Sequence, residues 1–285
     1  MTSPYVPLVV AVLLVSCGSV LIRLAAAPAL VVSFYRIALA AFCLAPFAAA
    51  QLPSSWKALA PRQRLVLLAS GFALALHFAT WVASLSYTSV AASVLLVNTA
   101  PVFAVGFSRL FLHERVPGVV LGAIGLALVG AAVIAAGDWT GEAGSLGGIL
   151  LALAGAVTLA AYHVVGRGLR EALPLNAYVL GVWGVAAATL LAFCLVGRVP
   201  LGAYPPRTWL LFLALALVPT LGGHGLVNRS LRSLPAPTVG LFLLGEPLGA
   251  SGLAWAVLGE VPGSWTLAGG VVVLLALTLV LLRRA

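Results

Sequence analysis

From Tyr5 to Leu282 the sequence is a succession of apolar runs, and its longest polar interruption, Gln51–Arg64, is too short to hold a folded domain. A chain of this kind has no means of building a charged exterior. Of its 285 residues 63% are hydrophobic and 7% charged, and the mean hydropathy is +1.18. Soluble domains are about one quarter charged. An ordinary soluble enzyme, a disordered chain and a secreted disulfide scaffold are therefore excluded. The solvent that suits this surface is a lipid bilayer, which a helix of about 20 apolar residues crosses. The net charge of +9 does not point to nucleic acid, because Arg and Lys are scattered between apolar runs and form no basic block.

Ten spans are expected, at 5–25, 29–50, 65–84, 88–111, 116–137, 144–166, 175–196, 208–228, 235–258 and 264–282. Their length and continuous apolarity predict helices; an outer-membrane barrel would show short alternating segments. Breaks fall at Pro28, at Pro53 and Pro61, at Pro117 and at Pro205-Pro206, as proline chemistry requires. Trp56, Trp139, Trp209 and Trp265 lie near span ends, where an interfacial aromatic belt belongs. The first span has no basic n-region. Although Ala25-Ala26-Ala27 imitates a cleavage site, an uncleaved first helix is expected.

Charge sets the orientation. With ten spans, one side holds Lys57, Arg62, Arg64, Arg109, Arg115, Arg167, Arg170, Arg229, Arg232, Arg283 and Arg284, and the other holds Arg23, Arg198 and Arg207. The positive-inside rule then places both termini in the cytoplasm.

The halves repeat. His77 precedes Pro101 by 24 residues and His224 precedes Pro247 by 23. Glu114 follows Pro101 by 13 residues and Glu260 follows Pro247 by 13, and each leads into Val-Pro-Gly, at Val116-Pro117-Gly118 and Val261-Pro262-Gly263. The repeat unit is thus five spans, over 1–140 and 141–285. An odd number of crossings inserts the second copy upside down. Inverted repeats create a binding site near the midplane that opens alternately to each side.

Three short motifs resemble a known family. Ser86-Tyr87-Thr88-Ser89-Val90-Ala91-Ala92 with Leu112-His113-Glu114-Arg115 is similar to the first EamA repeat of the drug/metabolite transporter superfamily. Gly245-Glu246-Pro247 leading to Leu258-Gly259-Glu260 resembles the second, and Phe34-Tyr35-Arg36 resembles the start of that family's second helix. The family usually has Gly before the Glu where this chain has His113. The resemblance implies an all-α membrane protein of ten transmembrane helices, two inverted five-helix repeats around a central cavity. It also implies export or exchange of small metabolites, amino acids among them. Bacterial aromatic amino-acid exporters are the functional relatives it suggests, and with them a multi-pass protein of the bacterial inner membrane.

Polar side chains inside spans are costly unless they pair or face water, so each is a functional candidate. Glu246, between Gly245 and Pro247, could bind an ammonium group or carry a proton. His77 and Trp81 share one helix face, as do His224 and Asn228, and the two histidines hold matching places in the repeat. Imidazole, indole and amide together suit an aromatic or amphipathic ligand. Tyr162 and His163 are adjacent, so one of them at most faces a cavity. Asn98 and Trp183 complete the substrate-binding candidates. Arg36 is expected to snorkel outward or join a structural ion pair, with a substrate carboxylate as the alternative partner. Glu114 and Glu260 read as helix-end residues. The pairs Gly118/Gly122, Gly144/Gly148 and Gly245/Gly249 suit close helix contact.

No cofactor or metal is expected. Cys17, Cys43 and Cys194 have no ligand spacing, and no two span histidines sit at ligand spacing on one helix. A nucleotide-binding Gly-x-x-x-x-Gly-Lys-Ser/Thr is lacking, so energy comes from the substrate gradient or an ion, with proton coupling open. The expected activity is secondary transport of a small-molecule substrate, most of all an aromatic or hydrophobic amino acid, by alternating access. The alternatives are a polytopic membrane enzyme and an exporter of other metabolites or drugs.

Overall fold

The computed structural model describes residues 5–87, 93, 96–137, 146–170, 173–258 and 264–282, and every regular element among them is helical. The helices are α1 (Val6–Ala25), α2 (Ala29–Ala48), α3 (Leu52–Ala58), α4 (Pro61–Ser84), α5 (Ala100–Phe111), α6 (Gly118–Gly137), α7 (Leu146–Arg170), α8 (Leu175–Val196), α9 (Pro206–Ser230), α10 (Ala236–Leu243), α11 (Glu246–Leu258) and α12 (Ser264–Leu282). A helix satisfies its own backbone polar groups, which a lipid environment demands. Seven helical spans among the described residues are long and apolar enough to cross a membrane, and shorter apolar helices add to them. Trp139, Glu260, Gly144, Arg283 and Arg284 lie outside the described residues.

Local sequence accounts for the boundaries. Pro28 and Pro174 stand at the N-caps of α2 and α8, and Pro61 opens α4, where a missing N–H costs nothing. The Ala60 N–H donates to the Gln63 side chain at 2.9 Å. The short α3 lies between two spans with Trp56 half-exposed, and the Arg64 guanidinium stacks on that indole at 5.5 Å. Phe42, Phe47, Leu65 and Phe72 are exposed on the outer surface. Such an apolar exterior suits lipid and no aqueous solvent.

The packing joins one half of the chain to the other. The principal pairs are α4 with α7, α6 with α12, α2 with α8, α4 with α8, α1 with α9, α5 with α7, α1 with α11 and α5 with α10. Exchanging the halves maps each of these pairs on a pair that is also in contact. The α4–α7 pair becomes α9–α1, the α5–α7 pair becomes α1 with α10 and α11, and α4–α8 becomes α9–α2, all of which are in contact. The pairs α6–α12 and α2–α8 map on themselves. This pattern is consistent with a two-repeat architecture.

Two interruptions shape the interior. In α9, residues Ala216–His224 form a π-helical segment that contains Pro219. Proline removes a backbone donor and crowds the preceding turn, and π segments widen a helix at functional places. The second interruption separates α10 from α11 at Leu244-Gly245, so the stretch 235–258 is a broken helix. Its counterpart in the first half breaks at Asn98-Thr99, immediately before α5.

The glycine expectation holds unevenly. A β-carbon at Gly118 or Gly122 would meet nothing within 4 Å, so this pair makes no close helix contact. Close approach occurs at Gly71, where a β-carbon would lie 2.8 Å from the Val182 carbonyl oxygen, and at Gly223, 2.6 Å from Val15 Cγ1. Gly249 packs against Ser16.

Candidate functional site

Two layers of small polar contacts set the interior side chains. Ser33 of α2 donates to the Phe78 carbonyl of α4 at 3.1 Å, which fixes the register of these helices. Ser16 of α1 donates to the backbone carbonyl of Glu246 at 3.1 Å, which seats the start of α11 against α1. His77 of α4 meets the Gly155 carbonyl of α7 at 3.0 Å. A carbonyl can only accept, so Nδ1 carries the proton.

These ties enclose a cavity between the halves. It is lined by Arg36, His77, Trp81, Asn98, His224 and Glu246, with Val15, Gly18, Val97, Leu159 and Leu243. The open space is about 40 Å³, room for a few water molecules and far less than a small organic ligand fills. Five of the nine candidate residues therefore meet in one place: His77, Trp81, Asn98, His224 and Glu246.

Aromatic rings give the cavity a wall. The His77 and Trp81 rings stack with centroids 5.8 Å apart and planes 7° from parallel, as their i, i+4 spacing requires. Phe78 lies edge-on to His224 at 5.6 Å. Arg36 places its guanidinium over Phe78, 4.2 Å from the ring centroid, and its Nε donates to Thr220 Oγ1 at 3.2 Å. Thr220 lies in the π segment of α9 and donates onward to the Leu215 carbonyl at 2.7 Å. Thus the widened turn aims Thr220 at Arg36.

The Arg36 side chain corrects the snorkelling expectation. It is 2% exposed and turns inward, held by the Phe78 face and the Thr220 hydroxyl. No ion pair within 4.0 Å joins it to Glu246 among the described residues. Thr220 also escaped the sequence reading. Pro219 inside the span, followed by Gly222-Gly223, is the signal that marks that turn as irregular.

The other four candidates stand apart from this cavity. Tyr162 donates its hydroxyl to Asn228 Oδ1 at 2.8 Å, and the Asn228 amide donates to the His224 carbonyl at 2.9 Å. Both side chains are buried behind the cavity and join α7 to α9. His163 lines a smaller neighbouring cavity of about 10 Å³ that shares Asn98, Leu159 and Leu243 with the first. Trp183, buried on α8, borders a space lined also by Asn176, Leu221 and Arg229. Glu114 forms an ion pair with Arg167.

Comparison with known proteins places this architecture. The profile of the EamA-like transporter family matches the chain twice, over residues 3–136 and 146–282. Proteins named pseudopaline exporter CntI, from Pseudomonas aeruginosa strains PAO1 and UCBPP-PA14, are each 28% identical over 211 residues, 74% of this chain and 72% of their own length. A solved crystal structure superposes with a TM-score of 0.83 over 99% of this chain and 98% of its own, at 19% identity. That likeness concerns the fold alone.

Proposed function

The chain belongs to the EamA-like transporter family, a transporter and not an enzyme, and we propose that it is a secondary carrier of amino acids. In this reading it exports or exchanges small organic metabolites across the bacterial inner membrane, with aromatic or hydrophobic amino acids favoured, by alternating access. Residues 1–140 and 141–285 are the two inverted five-helix units, ten transmembrane helices in all, with both termini in the cytoplasm. The relatives named as pseudopaline exporters support outward movement of an organic solute.

The observation that carries the reading is the meeting of His77, Trp81, Asn98, His224 and Glu246 in one cavity between the halves. Two of these residues, Asn98 and Glu246, stand where the fourth span of each half is interrupted. Discontinuous helices at mid-depth are where carriers of this general design bind solute and coupling ion. The Trp81–His77 stack offers a flat face to an aromatic ring, and Glu246 offers a carboxylate to an ammonium group or a proton. Tyr162, His163, Trp183 and Asn228 belong to the shell that would border the substrate once the cavity widens.

The test is counterflow. Protein in liposomes loaded with unlabelled phenylalanine should accumulate labelled phenylalanine transiently and saturably. Liposomes that show no exchange of any amino acid, yet exchange another metabolite, would replace this substrate with that one.

A further inference from the structure

We propose that Arg36 is the anchor for the carboxylate of the transported solute, so that the cavity reads both poles of a zwitterion. The inference rests on the carrier reading above and names the group that its site selects. Arg36 is 2% exposed, lines the cavity, and has one nitrogen, Nη1, with no partner in the protein. A guanidinium buried without a full set of acceptors is costly, and it suits a planar carboxylate better than any other common group. Its posture is fixed. Phe78 lies beneath it and Thr220 accepts from Nε, which leaves Nη1 free.

Three further observations favour an anion at this end. Trp81 Nε1 and Asn98 Nδ2 line the same cavity, are buried, and have no partner among the protein atoms. Both nitrogens can only donate. Two helices start beside the cavity, α5 at Ala100 and α11 at Glu246, and helix N-termini carry the positive end of the backbone dipole. Glu246 supplies the opposite charge from the other half. When Glu246 is ionised, an empty site holding it and Arg36 is close to neutral, and a zwitterion enters it without adding net charge. A solute that lacks the carboxylate leaves the Arg36 charge buried and unmatched.

Competition in counterflow tests this. Phenylalanine, phenylalaninamide, 3-phenylpropionate and phenethylamine are offered against labelled phenylalanine, and binding of each to detergent-purified protein is measured by calorimetry. In the wild type, loss of the carboxylate should weaken competition about ten- to a hundredfold. In Arg36→Gln the amide and the amino acid should compete equally, while Arg36→Lys should restore part of the preference. Phenylalaninamide competing as well as phenylalanine in the wild type would overturn the assignment with no variant needed. So would an unchanged preference in Arg36→Gln, which would make Arg36 a structural cation. If no amino acid exchanges but 3-phenylpropionate binds in an Arg36-dependent way, the amino-acid reading falls and the anchor stands. If amino acids exchange without regard to the carboxylate, the reverse holds.

Discussion

Arg167 on α7 forms an ion pair with Glu114, just beyond the end of α5, and its Nη1 donates to the carbonyls of Leu231 and Leu234 at 3.0 and 2.6 Å. One guanidinium thus ties the end of α5, the end of α7 and the turn between α9 and α10. Arg167→Met should remove all three contacts and lower stability by about 1–3 kcal/mol, whereas Glu114→Gln, which keeps an acceptor, should cost less. Thermal unfolding of detergent-purified protein measures both. Equal losses would mean that the carbonyl contacts contribute nothing.

Trp81 and His77 form one stacked face. Trp81→Ala should reduce counterflow about tenfold or more, because the indole borders the cavity; its backbone and β-carbon, which pack against Gly155 of α7, are kept, so the protein should still elute as a folded species. Trp81→Phe keeps the ring and loses the donor, so an intermediate rate is expected. His77→Ala should also impair transport. Wild-type rates in the Trp81→Ala and His77→Ala proteins would remove both residues from the binding face.

Glu246 shares its cavity with Arg36, His77 and His224, and it alone there becomes negative when it ionises. If it carries a coupling proton, Glu246→Gln should make net export independent of pH while counterflow at fixed pH persists. A variant that fails to fold would show that the carboxylate is structural. A folded variant with the full wild-type pH profile would show that the proton travels elsewhere.

Glycine positions separate close packing from mere smallness. Gly71→Leu should destabilise the protein by about 1–3 kcal/mol or prevent its assembly, since a β-carbon already meets Val185 and the Val182 carbonyl. Gly122→Ala faces open space and should be neutral or slightly stabilising. The ratio of monodisperse yields by size-exclusion chromatography is the readout. Equal yields would contradict the helix contacts of α4 with α8.

Which parts of this molecule were readable in advance follows from what membrane chemistry demands. Helix positions were readable because lipid forces long apolar runs, and the boundaries at Pro28, Pro61 and Pro205-Pro206 follow proline's lack of an N–H. His77 and Trp81 were readable because i, i+4 neighbours share a face whatever surrounds them. The repeat was readable from the paired His, Pro and Glu spacings. Arg36 was misread. Snorkelling is decided by depth and by the neighbouring helix, and the Phe78 ring and the Thr220 hydroxyl that hold it come from residues 42 and 184 positions away. Gly118/Gly122 failed for a related reason: spacing shows that a helix can approach another, and only the packing shows whether one is there. The tie between Tyr162 and Asn228 likewise needs two helices whose facing sides the sequence does not specify.

The exchange of halves that maps the principal helix pairs on pairs also in contact has an energetic corollary. A rearrangement that loosens α4 from α7 has a mirror rearrangement that loosens α9 from α1, and the two break chemically similar seams. In the alternating-access reading, the two poses of such a molecule would be nearly degenerate, and the bias between them would be left to features lacking a mirror partner. The π turn at Pro219 is one of these, since its counterpart helix, α4, has no proline after Pro61 at its first position. Substitutions at such lopsided positions should shift the resting balance between inward- and outward-facing forms far more than equal disturbances along the symmetric seams.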